Sequence, residues 1–184
     1  PYKSIPLYLT PGNHDIWWAA SETLFRKNSG RAPHYSFDQG AAHFTILDNS
    51  RSEQFADAEL AFLEADLKAN ASRPVKFVIS HRPSWILNVA LRNPDFPLHR
   101  LAKQYGVKYV IAGHVHQMLR FELDGITYLS MPSAGGHLRL SKAYEDGCAA
   151  PVVLASTHER TLEIVPLDAL SEHAVDVPDD PRDL

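Results

Sequence analysis

VKYVIAGHVH (107–116) sets a six-residue run, apolar but for Lys108, against Gly113 and two imidazoles, His114 and His116. VKFVISHRP (75–83) repeats the arrangement, an apolar run stopping at His81, and LYLTPGNHD (7–15) gives a third version that ends on Asn13, His14 and Asp15. Short runs rich in Val and Ile, bounded by Gly or Pro, predict buried strands over 5–9, 75–79 and 107–112. In open α/β sheets ligands collect outside the carboxyl ends of strands, so Asn13, His14, His81, His114 and His116 are expected to face one cleft.

Working outward, HYSF (34–37) and HFTILD (43–48) read as one hairpin, and MLRFEL (118–123) with ITYLSM (126–131) as another, turned at Asp124-Gly125. VVLAS (152–156) and LEIVPL (162–167) form a last pair. Leu60, Leu63 and Leu67 recur at helical spacing between Asp57 and Asn70. A second helix over 96–105 carries Leu98, Leu101 and Tyr105 on one stripe and stops at Gly106, which suits a left-handed cap. Residues 81–95 are expected as a loop. Strands alternating with helices and then hairpins indicate an α/β protein with a mixed sheet or two packed sheets.

Composition narrows the function classes. The 184 residues carry a formal net charge of -4, and from Asp168 onward six carboxylates face Arg182 alone, so 168–184 reads as an acidic, mobile tail after a domain over 1–167. No basic stripe could neutralise a run of phosphates, which argues against broad nucleic-acid binding. The single cysteine, Cys148, excludes an internal disulfide. No apolar run reaches membrane-spanning length and no targeting segment is present, so the reading is of a soluble chain without membrane association and with no assigned compartment.

The donor chemistry suits a divalent transition metal: neutral imidazole fits zinc, iron or manganese, and an amide oxygen is a harder donor for a cation that also holds water or phosphate. In GHVH the two histidines, two residues apart, point the same way if the segment is extended, while Gly113 permits a sharp turn. GNHD also has a plain reading as a turn in which Asp15 caps the next helix. The conjunction of three such strand ends carries the metal reading. A two-metal site would clamp the attacking and leaving oxygens of a phosphoryl transfer.

Gly12-Asn13-His14-Asp15, the isolated His81 and Gly113-His114-Val115-His116, in that order, resemble the calcineurin-like metallophosphoesterases. The similarity takes in the first hairpin, the 57–69 helix and DGITYLSMPSAGG, about residues 5–166 in all. It implies a two-sheet sandwich of mixed sheets flanked by helices. It also implies metal-dependent phosphomonoester or phosphodiester hydrolysis of a small substrate. Asn13, His81 and His114 would bind one metal and His116 another. His14 would meet the scissile phosphate, a role suited to a side chain that titrates near neutrality. Asp15, Gly12 and Gly113 would support the ligands from behind.

The family's opening D-x-H and G-D motifs do not occur before Asn13. The expectation is therefore a fold lacking its first β-α-β segment, with two ions (Fe, Zn or Mn) in an intact protein and one or none in this chain. An exposed sheet edge would then favour self-association. The contrasting reading is a non-catalytic module that keeps the fold and at most one metal. Trp17, Trp18, Trp85 and Ile86 suit either an apolar wall beside the ligands or core packing. His137 and Arg139 are further candidates for phosphate contact. His34, His43, His99, His158 and His173 read as surface or structural residues.

Overall fold

A computed structural model describes residues 6–132 and the backbone of two later strands, 151–156 and 161–166. Its centre is a six-stranded mixed sheet, built of β1 (Tyr35–Gln39), β2 (Ala42–Ile46), β3 (Val75–Ile79), β4 (Tyr109–Ala112), β5 (Leu119–Leu123) and β6 (Ile126–Ser130), in the order β1-β2-β3-β4-β6-β5. The four inner strands are parallel, and an antiparallel partner closes each edge. Parallel neighbours need a crossover. The helix α2 (Asp57–Ala69) carries the chain from β2 to β3, and α3 (Ile86–Ala90) with α4 (Pro97–Gln104) carries it from β3 to β4. A first helix, α1 (Ala19–Ser29), precedes the sheet. The strands β7 (Pro151–Ser156) and β8 (Thr161–Pro166) pair antiparallel as a separate two-stranded sheet.

The principal core lies between the sheet and helices α2, α3 and α4. Leu63 and Leu67 from α2 and Leu98 and Ala102 from α4 meet Val78, Val110 and Tyr128 from the strands, with Trp85 fully buried among them. Burying one such aliphatic side chain is worth about 1.5–3 kcal/mol. The opposite face of the sheet carries a row of aromatic rings, Phe37, Phe44, Phe77 and Tyr109, stacked strand to strand at 4.6–4.9 Å. β3, β4 and β6 thus present apolar side chains on both faces, which is why they read as largely apolar runs, whereas β2 turns His43 and Thr45 toward Asp66 of α2.

Most expected elements are present: β3 over its full predicted range, α2 and α4 within a residue or two, and all three hairpins. Asp124 and Gly125 both take positive φ, 52° and 77°, as a two-residue hairpin turn requires. Gly106 takes φ 68° where α4 ends.

Three expectations fail. Residues 6–10 form no strand, and Leu7 and Leu9 are exposed. A strand requires a neighbour's backbone groups, and here the segment meets β1 through side chains, with Tyr8 stacked on Phe37 at 3.5 Å and the Tyr35 hydroxyl donating to the Leu9 carbonyl at 3.0 Å. The stretch 81–95 is not all loop, since α3 forms within it with Val89 buried. Asp15 does not cap the next helix: α1 begins after Trp18, Ser21 supports its start by accepting from the Trp17 and Trp18 N–H groups, and Gly30 ends it at φ 68°. Among the described residues no helix is long and apolar enough to cross a membrane. Residues 168–184, His137, Arg139, His158 and His173 lie outside the described residues.

Candidate metal centre

The site is positioned by adjacency. β2, β3 and β4 are neighbouring parallel strands, so their carboxyl ends open on the same side. The β3 and β4 exits stay bonded past the strands: Ser80 N–H donates to the Ile111 carbonyl at 3.0 Å and Gly113 N–H to the His81 carbonyl at 2.9 Å. His81 and His114 therefore leave the sheet side by side.

Their rings converge with the GNHD loop. His81 Nε2 stands 2.8 Å from Asn13 Oδ1 and 3.1 Å from His114 Nδ1. An amide oxygen and an imidazole nitrogen, drawn from segments far apart in the chain, thus both lie within hydrogen-bonding distance of His81 Nε2. Adjacent ligands of an octahedral ion, each about 2.1 Å from it, lie about 3 Å apart. The observed separations fit the spacing of donors around a single cation. Among the described residues no group of three or more His, Cys, Asp or Glu side chains is placed to hold a metal ion, and here the third donor is an amide.

Local structure explains the approach. Gly12 is buried against His81, and a Cβ added to it would lie 3.0 Å from two atoms of the imidazole. Glycine is needed here for closeness. Asp15 holds the turn by accepting from the Gly12 N–H at 2.8 Å, and Gly12's carbonyl accepts from the Asp15 and Ile16 N–H groups. On the β4 side the expectation that Gly113 turns an otherwise extended segment fails. His114 and His116 themselves take positive φ, 69° and 57°, and a Val115 N–H to Gly113 carbonyl bond of 2.8 Å closes a three-residue turn around His114. Turns of that hand are rare and strained, and such strain persists only where surrounding contacts impose it. The turn carries His114 into the cluster and leaves His116 exposed and outside it, though near enough for its charge to act on His114.

Burial, with His114 and Arg82 close by, pushes the His81 imidazole below its ordinary pKa. Burial and Arg82 do the same to His114. Both rings are thereby biased to the neutral form, whose lone pair can bind a cation.

His14 is exposed and lines a cleft of 510 Å³ with Leu9, Thr10, Trp17 and Trp18. Trp85 is no part of any such wall. It is fully buried in the core against Phe121 and Tyr128, and Ile86 packs on the same core.

Two residues were missed from the sequence. Asn49, which follows β2 and reads as a turn residue, is buried and clamps the next strand exit. Its Oδ1 accepts from the His81 and Arg82 N–H groups at 3.1 and 3.0 Å, and its Nδ2 donates to the Arg82 carbonyl at 2.8 Å. Arg82 sets its guanidinium 3.4 Å from His114 Nε2. The third polar strand end is thus that of β2, and the signal for it was an asparagine after an apolar run, which turn chemistry explains equally well.

An α/β protein with imidazoles and an amide gathered at the carboxyl ends of parallel strands is the class that fold and site define. A family model described as calcineurin-like phosphoesterase matches residues 1–118, and the chain belongs to that family. A 3′,5′-cyclic-nucleotide phosphodiesterase of Nostoc sp. is 29% identical over 138 residues, covering 70% of this chain and 51% of that protein. Purple acid phosphatase 23 of Arabidopsis thaliana is 26% identical over 170 residues, covering 78% and 37%. A purple acid phosphatase structure from yellow lupin seeds is 16% identical with a TM-score of 0.49, covering 66% and 30%. The chain spans about half the length, or less, of the curated relatives it matches. A second model, described as an uncharacterized protein conserved in bacteria, matches residues 136–174.

Proposed function

We propose that this chain carries part of the active site of a metal-dependent phosphoester hydrolase acting on phosphomonoesters or phosphodiesters. The observation that supports it most is the convergence of Asn13 Oδ1, His81 Nε2 and His114 Nδ1. These three side chains would hold one divalent metal, and His116, displaced from them, would serve a second. The metal supplies Lewis acidity that offsets the charge developing on the phosphoryl oxygens.

The remaining work falls to the chain's own groups. Asn49 fixes the His81 backbone, so the ring needs little reorganisation to bind. Gly12 and Asp15 hold the GNHD turn against that ring. His14, next in the chain to Asn13 and exposed at the cleft, donates a hydrogen bond or a proton to the departing ester oxygen. Relatives named as cyclic-nucleotide phosphodiesterases and as a purple acid phosphatase support both ester classes.

The test is a titration of the purified chain with manganese, followed by inorganic phosphate and by p-nitrophenyl mono- and diesters. The expected result is saturable manganese binding, with phosphate binding that requires the metal. Phosphate binding or ester cleavage indifferent to chelation would overturn the reading.

A further inference from the structure

We propose that Arg82 is a substrate-binding residue, a clamp for anionic phosphate oxygens that exchanges its Glu53 carboxylate for the ester. The inference rests on the hydrolase reading above and adds the residue that holds the substrate's charge.

Arg82 is anchored at both ends. Its backbone is fixed by two hydrogen bonds with Asn49, the Arg82 N–H donating to Oδ1 and the Arg82 carbonyl accepting from Nδ2, and the Ser84 N–H also donates to that carbonyl, at 2.9 Å. Its guanidinium rests against the Ser50 carbonyl through Nε and Nη2, both at 3.4 Å, and reaches His114 Nε2 through Nη1, also at 3.4 Å. Three of its four polar contacts are thus long and weak. The fourth is an ion pair from Nη1 to Glu53. An arginine held this firmly, yet ion-paired with one exposed carboxylate only, has donors in reserve.

The two partners differ in exposure. The Arg82 side chain is 16% exposed and that of Glu53 65%. The cation is built into the site wall while the anion lies in solvent, where such a pair contributes about 0–1 kcal/mol. Carboxylate and phosphate present the same paired oxygens to a guanidinium, and phosphate carries more charge. The Glu53 carboxylate therefore occupies the position a phosphate would take, and it can be displaced at little cost. That position lies one imidazole ring from the metal-binding atoms, since His114 turns Nδ1 to His81 and Nε2 to Arg82.

Calorimetric titration of inorganic phosphate into the manganese-loaded chain tests the proposal, with manganese affinity measured on every variant. Arg82→Gln is expected to weaken phosphate binding by about 10–100-fold while manganese still binds, and Arg82→Lys by less, because it keeps the charge and loses the fork. Glu53→Gln is expected to tighten phosphate binding by about 3–10-fold, which loss of a merely structural pair would not do. Unchanged phosphate affinity in Arg82→Gln, or weakening in Glu53→Gln, overturns the Arg82 assignment and leaves the metal reading intact. A wild-type chain that binds no manganese removes the three-donor metal site of this chain, and the clamp falls with it.

Discussion

Two groups of histidines sit on the same sheet and are built on opposite rules. At the strand exits His81 and His114 face each other and an amide, and the causes that dominate their pKa values push both rings toward neutrality. On β2, His43 lies buried between two carboxylates, with Nδ1 2.8 Å from Asp38 and Nε2 2.9 Å from Asp66. Asp66 also accepts from the Thr45 and Ser36 hydroxyls at 2.6 and 2.7 Å. Burial opposes the His43 charge, but the hydrogen bonds its ring donates to Asp66 and Asp38 outweigh it and raise the pKa. His99, bonded to Tyr128 and Asp124, and His34, bonded to Glu59, also have carboxylate partners. An imidazole whose ring nitrogens meet carboxylates is satisfied by the fold. Imidazoles aimed at one another leave lone pairs for something the fold does not provide.

The largest expected effect comes from removing a donor. His81→Ala should lower manganese affinity by more than about 100-fold, since loss of groups that merely orient a ligand already costs about 10–100-fold. Its thermal midpoint should move little, because the ring is partly exposed and makes no carboxylate contact. Calorimetry beside a thermal scan reads both. Asp66→Asn should give the mirror image: a loss of about 3 kcal/mol in urea unfolding, from breaking a buried charged network, with manganese affinity retained. If either variant failed in both assays, the division between the two groups would break.

Smaller changes sharpen the contrast. Gly12→Ala should reduce manganese affinity by about 3–10-fold, because the added methyl presses on the His81 ring. Metal-free unfolding measured against pH should then separate the groups by sign. The raised pKa of His43 contributes stability that is full below the ordinary imidazole range and is lost as pH rises through the folded value. The lowered values of His81 and His114 contribute stability present above that range and lost as pH falls through the folded values. The deficit of His43→Gln relative to wild type should therefore shrink as pH rises, and that of His81→Gln should shrink as pH falls. The same slope for both would refute the distinction.

What the sequence disclosed follows from the same physics. β3 and β4 were legible because strands buried on both faces read as short runs rich in Val and Ile, and α2 because Leu63 and Leu67 keep helical spacing toward the core. The 7–9 stretch looks like those strands but finds no backbone partner among the described residues, and pairing is a property of neighbours, not of composition. His81 and His114 were visible because ligand-type residues stand at strand ends. The turn that brings His114 inward was hidden, since the sequence offers Gly113 for it and the chain uses two histidines at positive φ. Asn49 was hidden because an asparagine that clamps a distant backbone looks like one that caps its own turn. Arg82 was hidden because its value lies in the exposure of its partner, which sequence does not record.

Asn13, His81 and His114 would share one cation. A crystal structure of the chain grown with manganese, with anomalous data, tests this directly. One anomalous peak is expected, bonded to Asn13 Oδ1, His81 Nε2 and His114 Nδ1. A manganese bound elsewhere, with those three side chains still hydrogen-bonded to one another, would contradict it.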